Sequence, residues 1–243
     1  MNFHNPLSFT YSLPLTKFFV GLTTVQAWLT RSTLQVQIFF ASLGLVIFPV
    51  FVQAPLVRYF PWVSLLATSL WLGLGWYLIK RPGWEIWGDL LIGFASIWLT
   101  GSLYWGWLRW EPVVHLPIEA LGLPIALWCL KSNQGRIGSY FFLGSLFGTA
   151  VTDLYINWMD LFPVWRQLME AEPSLAPVIL QGAATGLQTD LAAGRAVILA
   201  TFLLIATVIS LGTSRELAWW AFSGAVFSTL LVDGLFFVAA ILG

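Results

Sequence analysis

The chain is poor in the groups that most soluble chemistry relies on. Of its 243 residues only 9% are Asp, Glu, Lys or Arg, two are histidine and one is cysteine. Soluble domains carry about a quarter charged residues, so this level excludes an ordinary solvated surface. The lone Cys129 excludes an intrachain disulfide and a thiolate metal cluster. Its expected role is that of a buried apolar filler. Eleven basic and eleven acidic side chains give zero formal net charge, which removes the basic footprint of a nucleic-acid binder. His4 and His115 are too few for His-rich metal catalysis or for a chlorophyll-binding array. A Walker A sequence, a Gly-x-Ser-x-Gly elbow, a His-Glu-x-x-His pair and a paired Asp-rich diphosphate motif are all absent. No metal and no cofactor is therefore expected. No internal repeat supports an inverted-repeat transporter.

What the chain has in abundance is apolar. Hydrophobic residues make up 58%, and the mean hydropathy is +0.82. Apolar runs of about 20 residues, long enough to cross a bilayer, recur along nearly its whole length. The expected fold is all-α: a polytopic transmembrane helical bundle of about seven spans. The spans are predicted at Val36 to Val57, Pro61 to Ile79, Ile86 to Leu108, Val113 to Leu130, Ser139 to Leu161, Ala196 to Leu211 and Ala218 to Leu242. No polar stretch is long enough for a second domain, so residues 1–243 read as one membrane domain.

Residues 1–34 do not read as a cleavable signal, because no basic region precedes the apolar part. Leu15, Phe18, Phe19, Leu22, Val25 and Leu29 recur at helical spacing, which predicts an amphipathic helix lying on the membrane. The connection 162–194 contains Glu170, Glu172 and Pro173, then an apolar stretch with Gln181, Thr185 and Gln188 on one face. Two readings stay open for it: an amphipathic helix on the non-cytoplasmic surface, or a re-entrant segment lined by protein.

The basic residues sort by side. Lys17, Arg31, Lys80, Arg81, Lys131, Arg136 and Arg215 fall on one, and Arg58, Arg109, Arg166 and Arg195 on the other. The positive-inside rule then places the N-terminus in the cytoplasm. Most of the fifteen tryptophans flank spans, as an aromatic belt requires. Trp71 and Trp98 fall mid-span and are expected to pack between helices.

Four carboxylates sit where a membrane protein should avoid them: Asp89, Glu119, Asp153 and Asp233. Each costs about 3 kcal/mol at a bilayer centre on insertion scales. In the fifth span Thr149, Asp153, Asn157 and Asp160 share one helical face, while Gly144 and Gly148 offer a close-contact surface on another. In the fourth, Glu111, His115 and Glu119 share a face, and Pro112, Pro117, Gly122 and Pro124 predict a bend beside Glu119. His115 with Glu119 could ligate a metal, but no second His–carboxylate pair completes such a site. The bland reading is a hydrogen-bonded histidine near a helix start. Asp89, Gly93, Ser96 and Thr100 form a stripe in the third span, and Thr229 and Asp233 a pair in the seventh. If the stripes converge they make one polar intramembrane site. If not, they are separate interhelical hydrogen bonds. Arg195 either snorkels to the headgroups or pairs with Asp153 or Asp190.

The strings LYWGWLRWEP and HLPIEALGLP, within 103–124, and GSLFGTAVTDLY, over 144–155, carry a resemblance. The chain resembles a family of cyanobacterial integral membrane proteins described only as a domain of unknown function. The resemblance implies a photosynthetic bacterial host, and a thylakoid or plasma membrane. Three functions fit the residues. One is a non-enzymatic accessory or assembly factor, partnered by membrane lipid and a larger membrane complex. The second is a small proton-coupled transporter or channel using the buried carboxylates. The third is an enzyme acting on a lipid, quinone or isoprenoid with Asp153, Glu119 or Asp233 as acid or base.

Overall fold

A computed structural model of the chain describes residues 33–213 and 215–242. Of the segment 1–34 predicted as an amphipathic helix, residues 1–32 lie outside them, Lys17 and Arg31 included. Nine helices and no strand occur among the described residues. They are α1 (Thr33–Tyr59), α2 (Pro61–Ile79), α3 (Glu85–Trp107), α4 (Pro112–Lys131) and α5 (Arg136–Trp158), then α6 (Phe162–Glu170), α7 (Ala176–Gly186), α8 (Asp190–Thr213) and α9 (Leu217–Leu242). Six of them, α1 to α4 with α8 and α9, are long and apolar enough to cross a membrane. The chain is a helical membrane bundle.

About seven spans were expected, and α5 accounts for the difference. It has 23 residues, but it is less apolar than the six. Helices α3, α4, α8 and α9 all pack against it, so much of its surface meets protein instead of lipid. That lets it bury Gly138, Ser139, Gly144, Ser145 and Gly148. A Cβ on Gly144 would lie 2.6 Å from the Phe222 carbonyl oxygen, and one on Gly148 would overlap Thr229 of α9. These two glycines let α5 and α9 pack closely, Gly144 against the Phe222 backbone and Gly148 against the Thr229 side chain.

The bundle is inside out relative to a soluble domain. Phe40, Leu66, Leu70, Ile198, Ile205 and Phe237 are exposed, whereas Ser42, Gln53, Ser64, Ser102, Ser223 and Ser228 are buried. Apolar groups outside and small or bonded polar groups inside is what a lipid solvent selects. The apolar core gathers Ile38, Leu90, Phe94, Trp98 and Phe141. Trp71 and Trp98 pack there as expected, their rings 5.7 Å apart, with Phe48 and Phe94 beside them. Cys129 is half-buried, more open than a core filler.

Ion pairs and hydrogen bonds show which loops share an end. At one end Gln35 donates to the Arg215 carbonyl at 2.7 Å, and Arg136 meets Glu216 at 2.8 Å. At the far end Arg58 donates to the Ala171 carbonyl at 3.0 Å, and Arg166 meets Glu111 at 2.9 Å. The short helices α6 and α7 sit at that far end. Nine and eleven residues long, neither can cross a bilayer. Helix α8 begins six residues earlier than predicted. Thr189 caps it, with its hydroxyl accepting from the Ala192 N–H at 3.2 Å, and Asp190 fills its first turn. Asp190 is thus helical and not part of the connection, and Arg195 lies in the same helix.

Candidate functional site

The far end of the bundle is where chemistry collects, and helix α4 is the reason. Its prolines and glycine keep it from being a regular α-helix. Pro112–Val114 and Ala120–Gly122 are tight three-residue turns, and His115–Glu119 is one α-helical turn between them. That single turn carries His115 and Glu119 on one face, pointed at α5. The His115 Nε2 lies 3.2 Å from Glu119 Oε1.

Across the interface, Asp153 of α5 meets the other ring nitrogen. Its Oδ1 and Oδ2 lie 2.9 and 3.1 Å from His115 Nδ1. The imidazole is therefore held between two carboxylates from two helices. All three side chains are largely shielded, at 10% exposure for His115, 15% for Glu119 and 17% for Asp153. Each nitrogen–oxygen contact needs a proton, and a neutral imidazole carries only one. Only an imidazolium could donate to both carboxylates at once.

Aromatic rings enclose the imidazole. The Tyr104 ring centroid is 4.3 Å away, and Trp105 and Trp165 are each at 5.9 Å. Trp165 comes from α6, lies 5.7 Å from Trp105, and donates its indole N–H to the Arg109 carbonyl at 2.7 Å. The Tyr104 hydroxyl donates to the same carbonyl at 3.3 Å. The rim outside the rings is the Glu111–Arg166 pair. The Arg166 hydrogen bond is the main cause that holds the Glu111 carboxyl below its ordinary range. Nearby, burial and then the like charge of Arg58 hold the Arg109 guanidinium below its usual value.

The sequence candidates fall into three groups. His115, Glu119 and Asp153 come together. Asp233 lies one step away: it accepts from Thr152, the neighbour of Asp153, at 2.8 Å. Thr149 and Asn157 lie one turn to either side of Asp153 on α5, Thr149 half-buried and Asn157 exposed, and the contacts of His115 do not include them. Asp89 is elsewhere. It accepts from the Ile137 N–H at 2.9 Å and so caps the start of α5. Along α3 it is roughly 22 Å from Tyr104, at 1.5 Å per residue. Arg195 pairs with neither Asp153 nor Asp190. It donates to the Trp158 carbonyl at 2.7 Å and caps the C-terminus of α5, with its guanidinium 5.0 Å from the Trp158 ring.

Two features escape sequence reasoning. The aromatic box is one, since Trp105 and Trp165 read as belt residues and only the fold brings them over His115. The other is a buried polar knot below the box. Gln53 donates to the Trp98 carbonyl at 2.6 Å and to the Ser102 hydroxyl at 2.9 Å, and the Ser64 and Ser102 hydroxyls are 2.8 Å apart. Gln53 ends a π-helical turn, Pro49–Gln53, a break that Pro49 and Pro55 foreshadow.

Among the described residues no group of three or more His, Cys, Asp or Glu is arranged to hold a metal ion. Both nitrogens of His115 already face carboxylates, which leaves no shared vertex for a cation. Neither a curated protein nor a solved structure matches the chain. A family model described as "Protein of unknown function (DUF3120)" matches residues 42–241.

Proposed function

We propose that the chain, which belongs to the DUF3120 family, is a small proton-coupled membrane transporter or channel. Its protonatable site is the cluster of Asp153, His115 and Glu119. One observation carries this reading: an imidazole clamped between two shielded carboxylates, at 2.9 and 3.2 Å. A neutral imidazole could bond only one of the two carboxylates, so a change in its protonation would rearrange the cluster. Proton occupancy is in this way tied to the packing of α4 against α5, and intramembrane ionisable groups of this kind mark proton relays. The site sits close to one membrane face, under α6, so it loads from that side. The family resemblance adds a thylakoid or plasma membrane of a photosynthetic bacterium, and the distribution of basic residues puts the N-terminus in the cytoplasm. The cluster then faces the non-cytoplasmic side.

The test is proton movement in proteoliposomes loaded with the pH dye pyranine. A potassium gradient with valinomycin sets an inside-negative potential. Faster lumen acidification than in empty liposomes, lost in Asp153→Asn, supports the reading. Rates equal to empty liposomes under both potential and solute gradients contradict it.

A further inference from the structure

We propose that the far end of the bundle binds one anionic phospholipid, with an acyl chain in a groove between α6 and α7 and the phosphate on Arg195. The site does not depend on the proton-coupled reading above. The groove has a volume of about 490 Å³, within the usual range of small-molecule sites, about 300–1,000 Å³. Met159 and Leu161 from the turn after α5, Val164 from α6, and Val178, Ile179 and Leu187 from the α7 end line it. Gln167 is its one polar side chain. A lipid tail laid against this lining takes apolar surface out of water on both sides. Two glycines keep the groove open. Gly182 and Gly186 lie one turn apart on α7 and line it, and a Cβ on either would meet no atom of the chain within 4 Å. Neither has a positive φ. Helix packing and backbone conformation therefore leave them unexplained, although glycine weakens a helix relative to alanine.

The charge at the groove's edge is Arg195. Its Nη1 donates to the Trp158 carbonyl at 2.7 Å and lies 3.6 Å from the Sδ of Met159, a groove residue. Both contacts use one nitrogen. Nε and Nη2 meet no acceptor among the described residues, and no carboxylate there pairs with the side chain. Arg136 and Arg166, by contrast, are each held by a glutamate. The free edge of Arg195, Nε with Nη2, is the fork that grips two phosphate oxygens side by side. The bilayer supplies phosphate at this level. Trp158, its ring 5.0 Å from the guanidinium, is an exposed belt residue, and Val197 and Ile198 just beyond Arg195 on α8 are exposed and apolar. That face of α8 leaves the second acyl chain in the bilayer. An anionic headgroup brings the countercharge that Arg195 lacks, whereas a zwitterionic one brings a cation of its own.

The test titrates the delipidated chain in detergent with dioleoyl phosphatidylglycerol or dioleoyl phosphatidylcholine, followed by native mass spectrometry. One phosphatidylglycerol should bind saturably, about tenfold more tightly than phosphatidylcholine, the factor that one charged hydrogen bond supplies. Gly182→Leu with Gly186→Leu should abolish binding of both lipids. Those side chains enter open space, so the fold stands. Arg195→Gln should bring phosphatidylglycerol down to the phosphatidylcholine value and leave phosphatidylcholine unchanged. A role of Arg195 in capping α5 alone would weaken both lipids alike. Should Arg195→Gln fail to fold, the wild type decides with a phosphatidylglycerol carrying a photoreactive diazirine on one acyl chain, whose cross-links should concentrate in residues 159–187. Equal affinity for the two lipids overturns the inference, as does retained binding in the double glycine variant. Cross-links spread over the exposed faces of α2 and α8 overturn it too, and so does saturable binding of oleate without phosphatidylglycerol.

Discussion

Replacing His115 by leucine removes the middle of the cluster and little else. Leucine nearly matches imidazole in volume, so the cavity left against Tyr104 is small. What remains is Glu119 and Asp153 facing each other at 15% and 17% exposure, with no donor between them. Removing one partner of a buried ion pair costs about 3–5 kcal/mol, because it leaves uncompensated charge. The residual water access places the expected loss near the lower figure. Acid should relieve it, since one protonated carboxyl can donate to the other carboxylate. The loss should therefore be smaller in acid than at neutral pH. Neutralising all three groups, as His115→Leu with Asp153→Leu and Glu119→Leu, should recover most of the stability, as replacement of buried ionic triads by apolar residues often does. The assay is SDS titration in mixed micelles followed by far-UV circular dichroism at pH 8 and pH 5. A loss for His115→Leu of under about 0.5 kcal/mol, within the range of ordinary surface substitutions, would refute the reasoning. An equal loss at both pH values would do the same.

Asp89→Ala should cost about 0.5–2 kcal/mol through the lost cap of α5 and leave proton movement intact, checked by the same titration and the liposome assay. Gly148→Ala should destabilise by about 1–3 kcal/mol by overpacking against Thr229, and Thr229→Ala should recover part of it. Gly93→Ala meets the Gly138 backbone, so no side-chain change on α5 should rescue it. Gln53→Leu should cost about 1–2 kcal/mol from the polar knot, two interhelical hydrogen bonds at membrane values. The Glu111–Arg166 latch has a definite pH sign. A carboxyl held below its ordinary range contributes stability above its unfolded value, and that contribution is lost as pH falls through the folded one. A cysteine reporter at Val164 on α6 should thus label faster in acid. In Arg166→Gln the onset should move up toward the ordinary glutamate range, about pH 4.3.

Much of this fold is legible in composition and periodicity, because a bilayer imposes length and apolarity on every span. Six helices follow from apolar runs alone. The seventh predicted span, α5, is harder to class for a physical reason: it is wrapped by other helices, so it tolerates Gly138, Ser139, Ser145 and Thr152 where a lipid-facing helix would not. The close contact of Gly144 and Gly148 follows from their spacing, though the partner helix does not. Among the four carboxylates, spacing sets Asp153 apart from Asp89 only weakly. The difference lies in what each meets, a histidine on α4 or the first amides of α5, and those are long-range facts. Trp105 and Trp165 illustrate the same limit. Their chemistry is visible in the sequence, but a belt residue and a cage residue look alike until the helices are placed.

The most direct measurement sets two carboxylates of equal cost to the membrane against each other. Wild type, Asp89→Asn and Asp153→Asn are reconstituted at equal density, and potential-driven acidification is followed with pyranine. The account predicts that Asp89→Asn matches wild type and that Asp153→Asn falls to the rate of empty liposomes. Loss in Asp89→Asn with retention in Asp153→Asn would contradict it.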